Sequence, residues 1–167
     1  MKLLPYENFY IVTPLKPAEV QERLETEIEP VTPFSFKKLF ILKSAYFFKG
    51  YMENGRFQII RIIFNRNSFL PIIKGSTESY LTGSRIRVIM HMHILVTLFM
   101  CIWFGIVGFG AITYLTGAAA YKFSPPPLIA LLMLLLGYGL MMWPFQYESA
   151  KAKDKLLALL EGEIDQK

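Results

Sequence analysis

Ahead of Ile94 this chain reads mainly in period two; after it the period vanishes. From Arg85 to His93 the side chains alternate: Ile86, Val88, Met90 and Met92 point one way, and Arg85, Arg87, His91 and His93 the other, with Ile89 the exception. From Ile94 to Leu115 no charged residue occurs. At ~1.5 Å per residue this run reaches about 33 Å, enough to cross a hydrocarbon core of ~30 Å. No turn signal separates the strand pattern from the apolar run, so the two are expected to form one continuous mechanical unit.

A second apolar run, Leu128 to Trp143, is lengthened by Pro125–Pro127 before it and Pro144–Phe145 after it. Ser124-Pro125 is a helix start, because Ser caps and Pro tolerates the first turn. Trp143 suits a membrane interface. The pattern predicts a transmembrane hairpin over 93–145, with spans of about 94–115 and 126–144. A buried core helix is the alternative for the second run, but a chain of 167 residues has little soluble mass to bury two such helices. Thr97, Cys101, Gly105 and Gly108 share one helical face, and so do Ala130 and Gly137. Small residues allow close helix approach, within the hairpin or between copies of the chain.

The residues before the hairpin predict a small α+β domain. Glu7 to Thr13 reads as a strand stopped by Pro14. Pro17 opens a helix whose apolar stripe is Leu15, Val20, Leu24 and Ile28, and Pro30 and Pro33 end it. Strands follow at 45–52, 56–64, 69–76 and 85–93, separated by turns at Glu53-Asn54-Gly55, Asn65–Ser68 and Leu81–Ser84. The expected unit, residues 1–92, is a β-α-β4 antiparallel sheet, a four-strand meander covered by one helix. Pro144 is expected to end the second span. An amphipathic helix then begins near Ser149 within a C-terminal segment, 146–167, with Ala152, Leu156, Leu159 and Leu160 on one face. That face suits a membrane surface or partner, or the chain's own sheet.

Charge sharpens this picture. The net +5 resides in residues 1–92, since acidic and basic residues balance in the remainder. Such a basic excess beside apolar segments points to anionic lipid headgroups rather than nucleic acid. Arg85, Arg87, Lys151, Lys153 and Lys155 flank the two spans, whereas Lys122 alone lies in their connector. This bias places both termini in the cytoplasm. The N-terminus lacks a sustained apolar region and a small-residue cleavage site, so no signal peptide is expected. The lone Cys101 excludes an intrachain disulfide.

Candidate chemistry is sparse. No HExxH, GxSxG or P-loop pattern occurs, and no cofactor or metal is expected. Gly105, Gly108 and Gly110 have the wrong spacing for a nucleotide loop. His91 and His93 share a strand face, but spacing fixes no supporting carboxylate. Arg61 interrupts Ile-Ile-Arg-Ile-Ile in mid-strand, where a charge needs a partner. Glu53 or Glu78 is the expected partner. The alternative is an anion- or lipid-binding role shared with Arg66, Lys74, Arg85 or Arg87. The spans contain no ionisable group suited to ion coupling, which disfavours a transporter.

Phe48-Lys49-Gly50, the stretch Phe57 to Gly75 with its NRNSFLPxxxG motif, the Gly83 turn and the strand entering the hairpin resemble a group of small uncharacterised bacterial membrane proteins. The resemblance covers most of the chain from Phe48 onward. It implies a bacterial membrane protein of this architecture and carries no catalytic residue across. The expected function is non-enzymatic: a multi-pass inner-membrane protein in contact with lipid, forming a homo-oligomer or meeting a protein partner, whose cytoplasmic β-rich domain binds that partner or anionic lipid. The alternatives are a membrane effector or channel component gated by ligand binding to the β domain, and, below that, an enzyme at the membrane face.

Overall fold

The computed structural model describes residues 4–30, 46–63, 67–116 and 127–165. The chain is α+β, with a seven-stranded sheet and three helices. In chain order the elements are β1 (Tyr6–Thr13), α1 (Pro17–Glu27), β2 (Ile28–Pro30), β3 (Phe48–Glu53), β4 (Arg56–Arg61), β5 (Ile72–Tyr80), β6 (Gly83–His91), α2 (Ile94–Leu115), α3 (Pro127–Leu160) and β7 (Glu163–Asp165).

The sheet order is β2-β3-β4-β5-β6-β1-β7. Its centre is the expected meander, β3 to β6. The β3–β4 turn is made by Asn54 and Gly55, both with positive φ, 50° and 73°, the conformation an Asn-Gly hairpin turn supplies. β1 then pairs antiparallel with β6 over its whole length, from Tyr6 opposite His91 to Thr13 opposite Ser84. Two short strands enlarge the expected sheet. β2 pairs parallel with β3, and β7 pairs antiparallel with β1, so the last strand is zipped to the first. At the start of β6, a Cβ on Gly83 would lie 2.1 Å from the Thr13 carbonyl oxygen, so only glycine allows this approach.

One face of the sheet is covered. Phe9, Ile11, Phe48, Phe57, Ile59, Ile73, Ile86, Val88 and Met90 are buried there. Val20 and Leu24 of α1 close part of this core, as the apolar stripe predicts. The rest is closed by Phe145, Ala152, Leu156 and Leu160 of α3, all buried. The amphipathic helix therefore docks on the chain's own sheet, and residues 1–92 do not complete the core.

α3 also corrects the expected break at Pro144. That proline lies inside one uninterrupted helix of 34 residues. Proline removes one backbone donor and crowds the preceding turn, which kinks a helix without necessarily ending it. Here the residues on both sides are held by packing, Met141 and Met142 before it and Phe145 after it. The Ser124 cap lies outside the described residues.

α2 and the first part of α3 pack as a hairpin. Met100 and Val107 are buried on α2, with Trp103 and Phe104 on the same face. On α3, Ala130 is buried, and a Cβ on Gly137 would lie 3.3 Å from both Phe104 and Trp103. The small face of α2 is not the packing face. Cys101 is exposed, Thr97 is half-buried, and nothing lies within 4 Å of a Cβ built on Gly105 or Gly108. Large side chains fill the seam because Gly137 and Ala130 on the opposite helix make room for them. Both helices are long and apolar enough to cross a membrane, over Ile94–Leu115 and within Leu128–Leu160.

Candidate functional site

Between β6 and α2 lie only Met92 and His93. Met92 is buried, extending the inward row of β6. His93 caps the helix, its Nδ1 accepting from the Leu95 backbone N–H at 3.2 Å. The Nδ1 of His91 lies 2.8 Å from the Met92 carbonyl oxygen. The two histidines are thus engaged separately, and among the described residues no cluster of three ligating side chains could hold a metal.

The covered side carries a belt of ion pairs. Arg61 pairs with Glu148, Lys153 with Glu7 at 2.7 Å, Lys155 with Glu27 at 2.7 Å and Arg23 with Glu161 at 2.7 Å, while on the opposite face, beside Tyr10, Arg85 pairs with Asp165 at 2.8 Å. In each pair one member comes from α3 or the segment just after it. The partner of Arg61 is therefore Glu148, not Glu53 or Glu78. Glu53 stands opposite Arg56, at the far end of β4. Glu78 is exposed and opposite Arg85, at the far end of β5 from Ile72. Lys153 and Lys155 turn to the sheet domain, so of the three lysines after the second span only Lys151 points elsewhere, with its Nζ 4.0 Å from the centre of the Tyr147 ring.

Opposite this belt, no described residue covers the other face of the sheet. The strand registers order its side chains into rows. One row runs Glu53, Arg56, Ser76, Arg87, Tyr10. The next runs Tyr51, Gln58, Lys74, Ile89, Asn8, and a third Lys49, Ile60, Ile72, His91, Tyr6. Adjacent strands lie ~4.8 Å apart and alternate residues of a strand ~6.8 Å apart. Arg56 and Arg87 thus flank Ser76 at about 10 Å, and Lys74 sits between them one row away at about 8 Å, so that long side chains can converge on one anion. Arg56, Lys74 and Arg87 are exposed. None of the three forms an ion pair among the described residues; Arg87 makes a 3.4 Å contact with Asn8.

The sequence candidates are therefore divided. Lys74 and Arg87 come together on the open face. Arg85 is turned aside by Asp165, with its guanidinium stacked 4.1 Å from the centre of the Tyr10 ring. Arg61 belongs to the covered side, 5.0 Å from the centre of the Phe47 ring. Arg66 lies outside the described residues. Sequence reasoning missed Arg56, Gln58 and Tyr51. The signal was available, because Phe57 and Ile59 fix the inward phase of β4 and so turn Arg56 and Gln58 outward.

Tyr51, Glu53, Asn54, Arg56, Gln58 and Lys74 ring an open depression of about 570 Å³ on this face. The Tyr51 hydroxyl lies 3.4 Å from the Gln58 side-chain oxygen, and Tyr51 is 56% exposed. A second hollow of about 370 Å³ lies at the hairpin seam, lined by Phe69, Phe99, Met100, Trp103, Met133 and Leu136 among others. It offers almost no polar group. The open sheet face combines cations, amides and an exposed ring, and can hold an anion by charge-assisted hydrogen bonds. Compared with known protein families, curated proteins and solved structures, the chain matches none.

Proposed function

We propose that this chain is a non-enzymatic, two-span protein of the bacterial inner membrane with both termini in the cytoplasm, whose open sheet face binds an anionic partner. The observation that carries the binding role is the segregation of charge. The cations of the covered belt are paired with carboxylates and Arg85 on the open face with Asp165, whereas among the described residues Arg56, Lys74 and Arg87 gather on that face without an ion pair. The hairpin supports the membrane role. Only 11% of the most apolar stretch of α2 and 22% of that of α3 is buried, too little for the core of a soluble protein. Leu98, Phe99, Ile106, Phe109, Leu132 and Leu135 are all exposed, an apolar surface that water would not tolerate and lipid would cover.

The test is salt-dependent retention on phosphocellulose of the full chain held in phosphatidylcholine nanodiscs. Arg56→Gln with Lys74→Gln should elute at clearly lower salt than the native chain. Lys16→Gln with Lys151→Gln removes equal charge elsewhere and should elute close to it. Equal elution of the two variants would refute the face.

A second reading, a ligand-gated membrane effector, is favoured by one observation. Both hairpin helices are extensions of domain elements: α2 follows β6 after two residues, and α3 is one helix throughout. Movement of the sheet would reach both spans without slack.

A further inference from the structure

Resting on that reading, we infer that the depression at Tyr51, Arg56, Gln58 and Lys74 takes a water-soluble phosphorylated ligand carrying a flat group, of nucleotide size, and not the headgroups of the membrane that holds the protein. Height above the bilayer excludes the headgroups. Arg87, the register neighbour of Arg56 across Ser76, lies seven residues before the start of α2, and Lys74 lies opposite Ile89, five residues before it. At ~3.3 Å per residue these levels are about 23 Å and about 16 Å from the span. The headgroup layer adds only about 5–8 Å to each side of the hydrocarbon core.

The strands also stand away from the bilayer rather than lying on it. α3 continues the second span and runs up the sheet. Near its exit Glu148 meets Arg61, at the membrane-proximal end of β4. At its far end the Leu160 carbonyl accepts from the Thr13 hydroxyl at 2.5 Å, at the membrane-distal end of β1. The helix from Phe145 to Leu160 rises about 22 Å. Lys49, level with His91, is the basic residue of this face that lies near the headgroups.

The chemistry of the hollow fits a phosphorylated solute. Arg56 and Lys74 supply donors that have no carboxylate partner among the described residues, and Gln58 and Asn54 supply amides. The exposed Tyr51 ring offers a stacking surface at the opposite side of the depression from Lys74. Glu53, at the rim beside Arg56, is placed to accept from a ligand hydroxyl or amine. A volume of about 570 Å³ exceeds what a bare phosphate needs and lies within the range of small-ligand sites.

The test uses the full chain in nanodiscs of phosphatidylcholine alone, titrated calorimetrically with sodium pyrophosphate and with ADP. Both should bind saturably, with ADP about tenfold tighter through ring stacking. Tyr51→Leu should abolish that tenfold advantage and leave pyrophosphate binding intact. Arg56→Gln or Lys74→Gln should weaken both solutes at least about tenfold, while Lys49→Gln changes neither. Unchanged melting temperatures would confirm that these exposed substitutions leave the fold intact. A parallel arm mixes the same nanodiscs with vesicles of equal parts phosphatidylcholine and phosphatidylglycerol. Vesicle binding that needs Arg56 and Lys74, with no binding of either solute, overturns the soluble ligand but leaves the anionic face standing. No binding in either arm overturns both. Pyrophosphate and ADP binding with equal affinity overturns the role of Tyr51 and the flat group.

Discussion

Arg61→Ala separates a structural from a functional role for this arginine. Arg61 and Glu148 are 16% and 10% exposed, and the guanidinium also packs near Phe47. Breaking a buried pair costs about 3–5 kcal/mol, because the surviving charge is left without its counterpart. Both partners keep some solvent contact, which places the expected loss near the lower end, about 3 kcal/mol. For a chain of this size, each kcal/mol shifts the midpoint by about 2–4 °C, so a drop of roughly 6–12 °C is expected. The assay is thermal unfolding in detergent, followed by near-ultraviolet circular dichroism. Glu148→Ala should lose a similar amount. Replacing both by Arg61→Met with Glu148→Leu should cost well below the sum of the single losses, since no charge is then stranded. An Arg61→Ala chain that melts within about 1 °C of the native chain, less than the shift of a single kcal/mol, would refute the structural pairing. If that chain had also lost pyrophosphate binding, Arg61 would instead belong to the anion site.

Leu160→Ala should lose about 2–5 kcal/mol by the same melt, because Leu160 is fully buried and its removal leaves a cavity between α3 and the sheet. A chain ending before Ser149 should lack cooperative unfolding altogether, since it loses Ala152, Leu156, Leu160 and the strand beside β1; a cooperative melt from that chain would contradict the shared core. In a Cys101→Ala background, Ala120→Cys should be labelled from outside intact cells by an impermeant reagent and Ala158→Cys should not, and reversed labelling would defeat the cytoplasmic orientation. A Gly-Ser insertion of four residues between His93 and Ile94 should preserve pyrophosphate binding while uncoupling the sheet from α2; under the effector reading it abolishes the cellular response, and full response after insertion would refute mechanical coupling.

What the sequence reveals here is local, and what it hides is long-range. The inward row Ile86, Val88, Met90 and Met92 is visible as alternation and is buried as expected. The Asn54-Gly55 turn is visible because few residue pairs tolerate two positive φ angles. β2 and β7 are only three residues long, too short for any period to register. The partner of Arg61 lies 87 positions away, and spacing carries no information about a contact at that separation. The continuity of α3 was masked by Pro144, whose local preference is overridden by packing on both sides. The small residues Thr97, Cys101, Gly105 and Gly108 share a face in sequence, yet the seam is chosen by where Ala130 and Gly137 leave room. At the candidate site, Lys74 and Arg87 were legible as basic residues on strands. Their meeting with Arg56 depends on register between strands, which only the folded sheet fixes.

The zipping of β7 to β1 has a consequence for the order of events at the ribosome. Strands β1 to β6 emerge first, with α1 the cover they bring among the described residues, and the inward faces of Phe48, Phe57, Ile59 and Ile73 still lack Leu156 and Leu160. Those leucines and the final strand appear only after both apolar helices have been made. At ~5–20 residues per second the interval from His91 to Asp165 lasts about 4–15 s. For that time the nascent sheet is an unfinished clasp, its β1 edge open and its oily face half bare. The two apolar helices are therefore synthesised before the sheet can close. A chain that ends within α3 before Leu156 lacks the side chains that shut this core, and its inward apolar face stays exposed.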